Sequence, residues 1–308
     1  MTNNTNLIKE LREKTGAGIV DCKNALIENN DEIEKAIDWL RKKGLSVAAK
    51  KSGRVAAEGL IGTHISGNKG SVIEINSETD FVSRNQTFQD FVKNCSILSL
   101  DCNSDVNQLK SMVYLNSDNT VEEELTKNIA TIGENLNIRR IDSLSLNADG
   151  LIVSYVHNSV GDNLGKIGVL VGLQSSADKN HLLEIGRQIA MHIAATKPLA
   201  KSINELDNEL VEKEKSILIE QSLSSGKSQE IAEKMVQGRI QKFYQEVVLE
   251  EQTFVIDGKS SIKQFVEDQS NVCGKKIEIT NFKIFVLGEG IDVGEKDFAA
   301  EVAETAKG

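Results

Sequence analysis

The side chains able to attack, transfer a proton or hold a metal are few and scattered. The 4 histidines are His64, His157, His181 and His192, and the 4 cysteines are Cys22, Cys95, Cys102 and Cys273. None shares a spacing with a carboxylate or second ligand that would build a zinc site or a nucleophilic triad, so each reads as structural or surface, and no metal or cofactor is expected. Gly226-Lys227-Ser228 and Gly258-Lys259-Ser260 look like the end of a phosphate-binding loop. That motif needs a glycine five residues before its second glycine, and those positions hold Gln221 and Thr253. Neither G-x-S-x-G nor G-x-G-x-x-G occurs. The unusual local feature is Ser77-Glu78-Thr79-Asp80-Phe81-Val82-Ser83-Arg84, which sets an aromatic among polar residues where a strand ends near Asn76 and helical periodicity resumes near Thr87. An aromatic in such a connection either tucks into its own core as a loop anchor or stands out to fill a partner's pocket. The residues by themselves leave both readings open.

The elements that would position this loop follow from hydrophobic spacing. Leu7, Ile8 and Leu11 mark a first helix stopped by Gly16 and Gly18, and Ile19, Cys22, Ala25 and Leu26 a second before Asn29-Asn30. A third carries Ile33, Ile37 and Leu40 on one face, with Asp31 and Glu34 spaced as a capping box and Gly44 as its stop. Arg41 to Arg54 holds six cations and no acid, so it is either a solvated linker or a docking surface for an acidic partner. Beyond it a repeat appears: Glu58 to Ile65 is similar to Asp149 to Val156, each leading to a turn and a second apolar strand, Val72 to Ile75 and Ile167 to Leu173. A helix follows each (Phe88, Phe91, Val92, Cys95; Leu182, Gly186, Ile189, Ile193). Then come a second helix (Leu125, Ile129, Ile132, Leu136; Ile262, Phe265, Val266) and a strand (Ile138 to Leu146; Ile277 to Leu287). Two related subdomains packed side by side are expected. Near-heptad apolar residues around Ser224-Ser225-Gly226 predict an inserted antiparallel hairpin, packed on itself or offering its seam to a partner or second copy. Asp297 to Ala306 reads as a closing helix. The expected units are thus 1–54 (head and basic linker), 55–147 (first subdomain), 148–198 with 248–288 (second subdomain), 199–247 (hairpin) and 289–308 (C-terminal module).

Composition narrows the function classes. With 308 residues, 39% of them hydrophobic, the chain can bury a core. Its 36 Lys and Arg against 46 Asp and Glu give a net charge of −10, which disfavours direct binding of nucleic-acid phosphate. The longest apolar stretch, near Ile167 to Leu173, is far short of the ~20 residues that span a bilayer, so no membrane is expected. The polar opening and the scattered cysteines, with no C-x-x-C pair, predict a cytoplasmic protein with reduced thiols.

Four segments resemble one family. Leu11-Arg12-Glu13-Lys14-Thr15-Gly16-Ala17-Gly18-Ile19-Val20-Asp21-Cys22-Lys23-Asn24-Ala25-Leu26, the Thr79-Asp80-Phe81-Val82 loop, Ile132-Gly133-Glu134-Asn135 and His192-Ile193-Ala194-Ala195-Thr196-Lys197-Pro198 are similar, in collinear order, to the signatures of bacterial elongation factor Ts. The resemblance implies an α+β fold. It would have a three-helix head like ubiquitin-associated domains, a core of two related α/β subdomains with antiparallel sheets, a protruding hairpin and a C-terminal helix. It also implies a non-enzymatic role, guanine-nucleotide exchange on elongation factor Tu. Thr79, Asp80, Phe81 and Val82 would enter the GTPase domain, with Phe81 in an apolar pocket, and dislocate its magnesium. Lys23, Ile132, Gly133 and His157 match positions the family uses at the partner surface. Dimerisation through the hairpin or the core is a further expectation, and the competing reading is a structural or chaperone-like protein whose head binds helices or nascent chains, with the hairpin as a dimer arm. Stimulated release of GDP from elongation factor Tu separates the two.

Overall fold

Leu11, Cys22, Ala25, Leu26 and Ala36, all fully buried, gather three N-terminal helices around a small core. A computed structural model describes residues 2–226 and 228–293, and the helix expected from Asp297 to Ala306 lies outside them. The three helices are α1 (Thr2–Thr15), α2 (Ile19–Glu28) and α3 (Ile33–Lys51). After them come β1 (Glu58–Ser66), β2 (Lys69–Ser77), α4 (Gln86–Leu98), α5 (Val106–Ser111), α6 (Val121–Ile132) and β3 (Leu136–Ser145). The remainder is β4 (Gly150–His157), β5 (Leu164–Gly165), β6 (Ile167–Gln174), α7 (Lys179–Thr196), α8 (Asn208–Ser224), α9 (Gln229–Val247), α10 (Ile262–Cys273) and β7 (Glu278–Val286). The class is α+β, with antiparallel sheets and helices ahead of them.

Two expectations about α3 are corrected. Asp31 does not cap it: Asn30 and Asp31 take left-handed backbone, φ 53° and 60°, to turn the chain, and the N-cap is Glu32, whose side chain makes no capping hydrogen bond. Nor does Gly44 end the helix. Gly44 is buried against α6, where a Cβ would make ordinary contacts with Ala130 Cβ at 3.7 Å and Thr126 Cγ2 at 3.8 Å, so it lies inside a packed helix rather than at its end. Most of the cations between Arg41 and Arg54 therefore ride a docked helix. Arg41 pairs with Glu123, which also closes a capping box with Thr120 at the start of α6.

The strands form two sheets, ordered β3-β2-β1-β5 and β4-β6-β7. The antiparallel run β1-β2-β3 has the same order as β4-β6-β7, and Gly59 and Gly150 sit at equivalent places in it. A Cβ at Gly59 would lie 2.2 Å from Ile75 O and one at Gly150 would lie 2.1 Å from Leu173 O, so both positions demand glycine. Register slips between Glu74 and Ile75 in one run and between Gly172 and Leu173 in the other. On the outer face of the first sheet, Leu60, Ile73, Ile75 and Leu136 share a core with Phe88, Phe91 and Val92 of α4 and Leu125 and Ile129 of α6. Outside the second, Val169, Val171 and Leu173 join Leu182, Ile189 and Ile193 of α7 and Ile262 and Val266 of α10.

The inner faces meet: Ile61, Val72, Leu144, Ile152, Leu170 and Phe285 form one buried cluster. The sheets therefore pack face to face, not side by side. Neighbouring residues such as Leu60 and Ile61, or Val169 and Leu170, are apolar on both faces of their strands, which is the pattern of a sheet buried on both sides. The hairpin is α8 against α9. Val211, Leu218, Val236 and Ile240 are buried along its seam, and its root shares a cluster with Ala200, Leu206 and Val248.

Candidate functional site

The Thr79 to Val82 loop begins where β2 runs out of partners. Thr79 is extended (φ −124°, ψ 159°), and Asp80–Arg84 form a single stretch of 3-10 helix. Ser83 Oγ donates to Asp80 O at 2.5 Å and Gln89 Nε2 to Ser83 O at 2.8 Å. Asn85 then caps α4, its Oδ1 accepting from Phe88 N at 3.2 Å. Successive side chains point opposite ways: Val82, 4% exposed, belongs to the α4 core, while Phe81 is 78% exposed. The loop anchor is Val82, and the reading of Phe81 as a core anchor is corrected. A phenylalanine left in water forgoes roughly 1.5–3 kcal/mol of burial.

A second segment braces the loop from 55 residues away. Helix α6 stops at Gly133, which takes φ 84° and donates from its N–H to Ile129 O. The next residue, Glu134, accepts from Thr79 N at 2.9 Å through Oε2 and from Thr79 Oγ1 at 2.6 Å through Oε1. In return, Glu78 Oε1 accepts from Asn135 N at 2.6 Å. Asn135 is buried and donates through Nδ2 to Arg54 O at 2.7 Å. Arg54 Nη1 lies 3.4 Å from Glu78 Oε2, and Lys51 Nζ donates to Gly133 O at 2.5 Å. Half-buried Ile132 and exposed Gly133 thus flank the turn that holds the loop. Glu78, Glu134 and Asn135 were not expected to position it. No spacing rule connects residues so far apart, and their only sequence signal is that Glu78 abuts the Thr79 to Val82 motif and that Glu134 and Asn135 lie within the Ile132 to Asn135 motif.

The structure does not bring every expected residue together. Lys23 is exposed on α2, in the head, among the exposed Ile19, Val20 and Ile27. His157 is exposed at the end of β4, its Nδ1 3.0 Å from Tyr155 Oη. Among the described residues, no hydrogen bond or ion pair links either to the Thr79 loop. His192 is buried between α7 and the segment after the hairpin. Its Nε2 lies 2.9 Å from Gln252 Oε1, and Val255 N donates to its Nδ1 at 3.3 Å. The second contact makes Nδ1 an acceptor, so Nε2 carries the proton. Burial pulls its imidazole below the usual histidine range, against the opposite pull of the Gln252 hydrogen bond.

Among the described residues, no group of three or more His, Cys, Asp or Glu could hold a metal, and no helix is long and apolar enough to cross a membrane. The 4 cysteines are unpaired, and burial pushes the thiols of Cys22, Cys95 and Cys102 up. The exposed Phe81 on its braced turn gives the site the attributes of a contact surface, an apolar projection on a fixed base.

The chain matches known proteins along most of its length. Residues 78–289 match the family model described as Elongation factor TS. Elongation factor Ts of Rhodospirillum centenum is 52% identical over 300 residues, 97% of each chain. The protein of that name from Rhodospirillum rubrum is 52% identical over 302 residues, 98% of this chain and 97% of its own. That from Sinorhizobium fredii is 48% identical over 308 residues, the whole of both chains. With the family model spanning the loop, the second sheet and the hairpin, and these relatives matching nearly the whole chain, this chain belongs to the elongation factor Ts family.

Proposed function

We propose that the protein is a guanine-nucleotide exchange factor for elongation factor Tu in translation elongation. The observation that carries the reading is Phe81, exposed on a 3-10 turn whose neighbour Val82 is buried in the core. On this reading Phe81 enters an apolar pocket of the GTPase, with Thr79 and Asp80 forming the rest of the inserted edge, while Val82, buried in the α4 core, holds the turn from behind instead of entering the partner. Burial there recovers the apolar contact that the free protein forgoes. The insertion displaces the elements that hold the partner's magnesium and phosphate loop. Magnesium bridges the nucleotide phosphates to the GTPase, so weakening its coordination weakens GDP. Factor and nucleotide then lower each other's affinity by the same factor, as linkage requires. No covalent bond changes. Ile132 and Gly133, beside the loop, extend the same contact, while Lys23 with the apolar face of α2, and His157 at the end of β4, meet the partner elsewhere.

The test is release of a fluorescent GDP from elongation factor Tu. Catalytic amounts of the protein should accelerate release, and the acceleration should shrink when chelation has already removed magnesium. No acceleration at any concentration would contradict the reading.

A further inference from the structure

We infer that Glu134 is a positioning residue for the exchange loop, fixing the direction in which Phe81 leaves the fold; the inference rests on the exchange reading above. The loop's own sequence cannot fix that direction. Five residues of 3-10 helix are too short to persist unaided, so their geometry comes from what they are attached to. At the far end they are attached by the buried Val82 and by the Asn85 cap. At the near end there is one local bond, from Ser77 Oγ to Thr79 O at 2.9 Å, and one distant support, the Glu134 carboxylate.

That support is a two-point grip: Oε2 takes the Thr79 amide at 2.9 Å and Oε1 takes the Thr79 hydroxyl at 2.6 Å. Bonds to an ionised acceptor are about twice as strong as neutral ones, and two of them restrain both the backbone and the side chain of Thr79. The extended Thr79 backbone sets where the 3-10 turn starts, hence where Phe81 points. The return bond from Asn135 N to Glu78 at 2.6 Å ties the turn carrying Glu134 to the end of β2. Grip and loop therefore move as one body. Lys51 and the Arg54 carbonyl, bonded to Gly133 and Asn135, anchor that turn to the last turn of α3 and the residues after it. Glu134 is half-buried behind the loop and acts through Phe81 rather than on the partner.

The experiment is a double-mutant cycle with intact protein, Glu134→Ala and Phe81→Ala, read as stimulated release of fluorescent GDP from elongation factor Tu. Glu134→Ala should slow release roughly tenfold, the scale of losing one charge-assisted grip, with a melting temperature near the parent. Amide exchange at Thr79 and Asp80 should speed up while β2 stays protected. Glu134→Gln, which keeps one acceptor, should recover part of the rate. Adding Glu134→Ala to Phe81→Ala should cost nothing further, because one acts through the other. If the two effects simply add, or Glu134→Ala exchanges like the parent while Phe81→Ala is slow, the inference is overturned and the exchange reading stands. If Phe81→Ala is as fast as the parent, the exchange reading itself fails. Should Glu134→Ala not fold, Thr79→Val removes the hydroxyl arm alone and carries the same cycle: slower release that does not add to the Phe81→Ala loss is expected, and additive or absent slowing overturns the inference.

Discussion

Phe81 and His192 show what burial decides for a single side chain. His192 is enclosed without charge, its folded imidazole held below the usual range by burial. The unfolded chain binds a proton near pH ~6.5, so stability from this group is complete above that pH and is lost as pH falls toward the depressed folded value. His64 adds to the same trend through burial and Lys93. Urea unfolding at pH 7.5 and 5.5 should show lower stability at 5.5, with a shallower pH dependence in His192→Gln; an unchanged slope would contradict this. Asp80 is exposed, and Asp80→Ala should slow exchange less than Phe81→Ala because its contacts stay near water. The loop itself was legible because Phe81 interrupts a polar run. Its solvent exposure was not, since local sequence does not say whether Phe81 or Val82 meets the core. The Glu134 grip was hidden by chain separation.

Periodicity exposed most elements, and the misreadings came where tertiary contacts changed what glycine or length meant. Gly44 has the form of a helix stop, yet α6 packs over it. Because the hypothetical Cβ makes only ordinary contacts with Ala130 and Thr126, Gly44→Ala should stabilise α3 by up to ~1 kcal/mol, the helix-interior difference between the two residues. Gly44→Leu should instead push the head off α6, seen as a lower melting temperature and loss of the Arg41 to Glu123 contact. Leu136 continues the period of α6, but the left-handed Gly133 ends the helix and delivers Leu136 to β3. The 103–120 stretch carries no long hydrophobic period because α5 has only 6 residues. Its order comes from capping by Asp105 and from Asn94 Nδ2 bonding Tyr114 Oη at 2.8 Å. The hairpin was legible from its seam, but its root is fixed in a cluster with Ala200, Leu206 and Val248, next in the chain to Leu249 of the second sheet's core. Replacing residues 214–237 by a short Gly/Ser turn should therefore preserve a cooperative melting transition, whereas a cut from 206 to 247 should weaken it.

At the scale of the whole molecule, the duplication was visible in the sequence but the way the two halves meet was not, because either face of a doubly apolar strand can be the outer one. The join is partly ionic. Glu74, fully buried in β2, takes Arg139 Nη1 at 2.9 Å and Arg140 Nε at 2.6 Å, and also the Gly288 amide beyond β7 at 2.8 Å. Burial pushes its carboxyl up, but Asn76, the Gly288 amide, Arg140 and Arg139 together hold it below the usual range. Stability from Glu74 is thus present above pH ~4.3 and lost as pH falls below it. Glu74→Ala should cost about 3–5 kcal/mol, since two arginines lose a buried partner; equilibrium unfolding measures it. On the exchange reading proposed above, this scaffolding presents the exposed Phe81 in a fixed direction. The decisive measurement is the rate of fluorescent GDP release from elongation factor Tu driven by the parent and by Phe81→Ala at matched concentration, with both melting curves in hand. Phe81→Ala should melt like the parent and drive release more slowly by roughly tenfold or more, a loss of about 1.4 kcal/mol in transition-state stabilisation. A folded Phe81→Ala protein that drives release at the parent's rate would contradict the role given to Phe81.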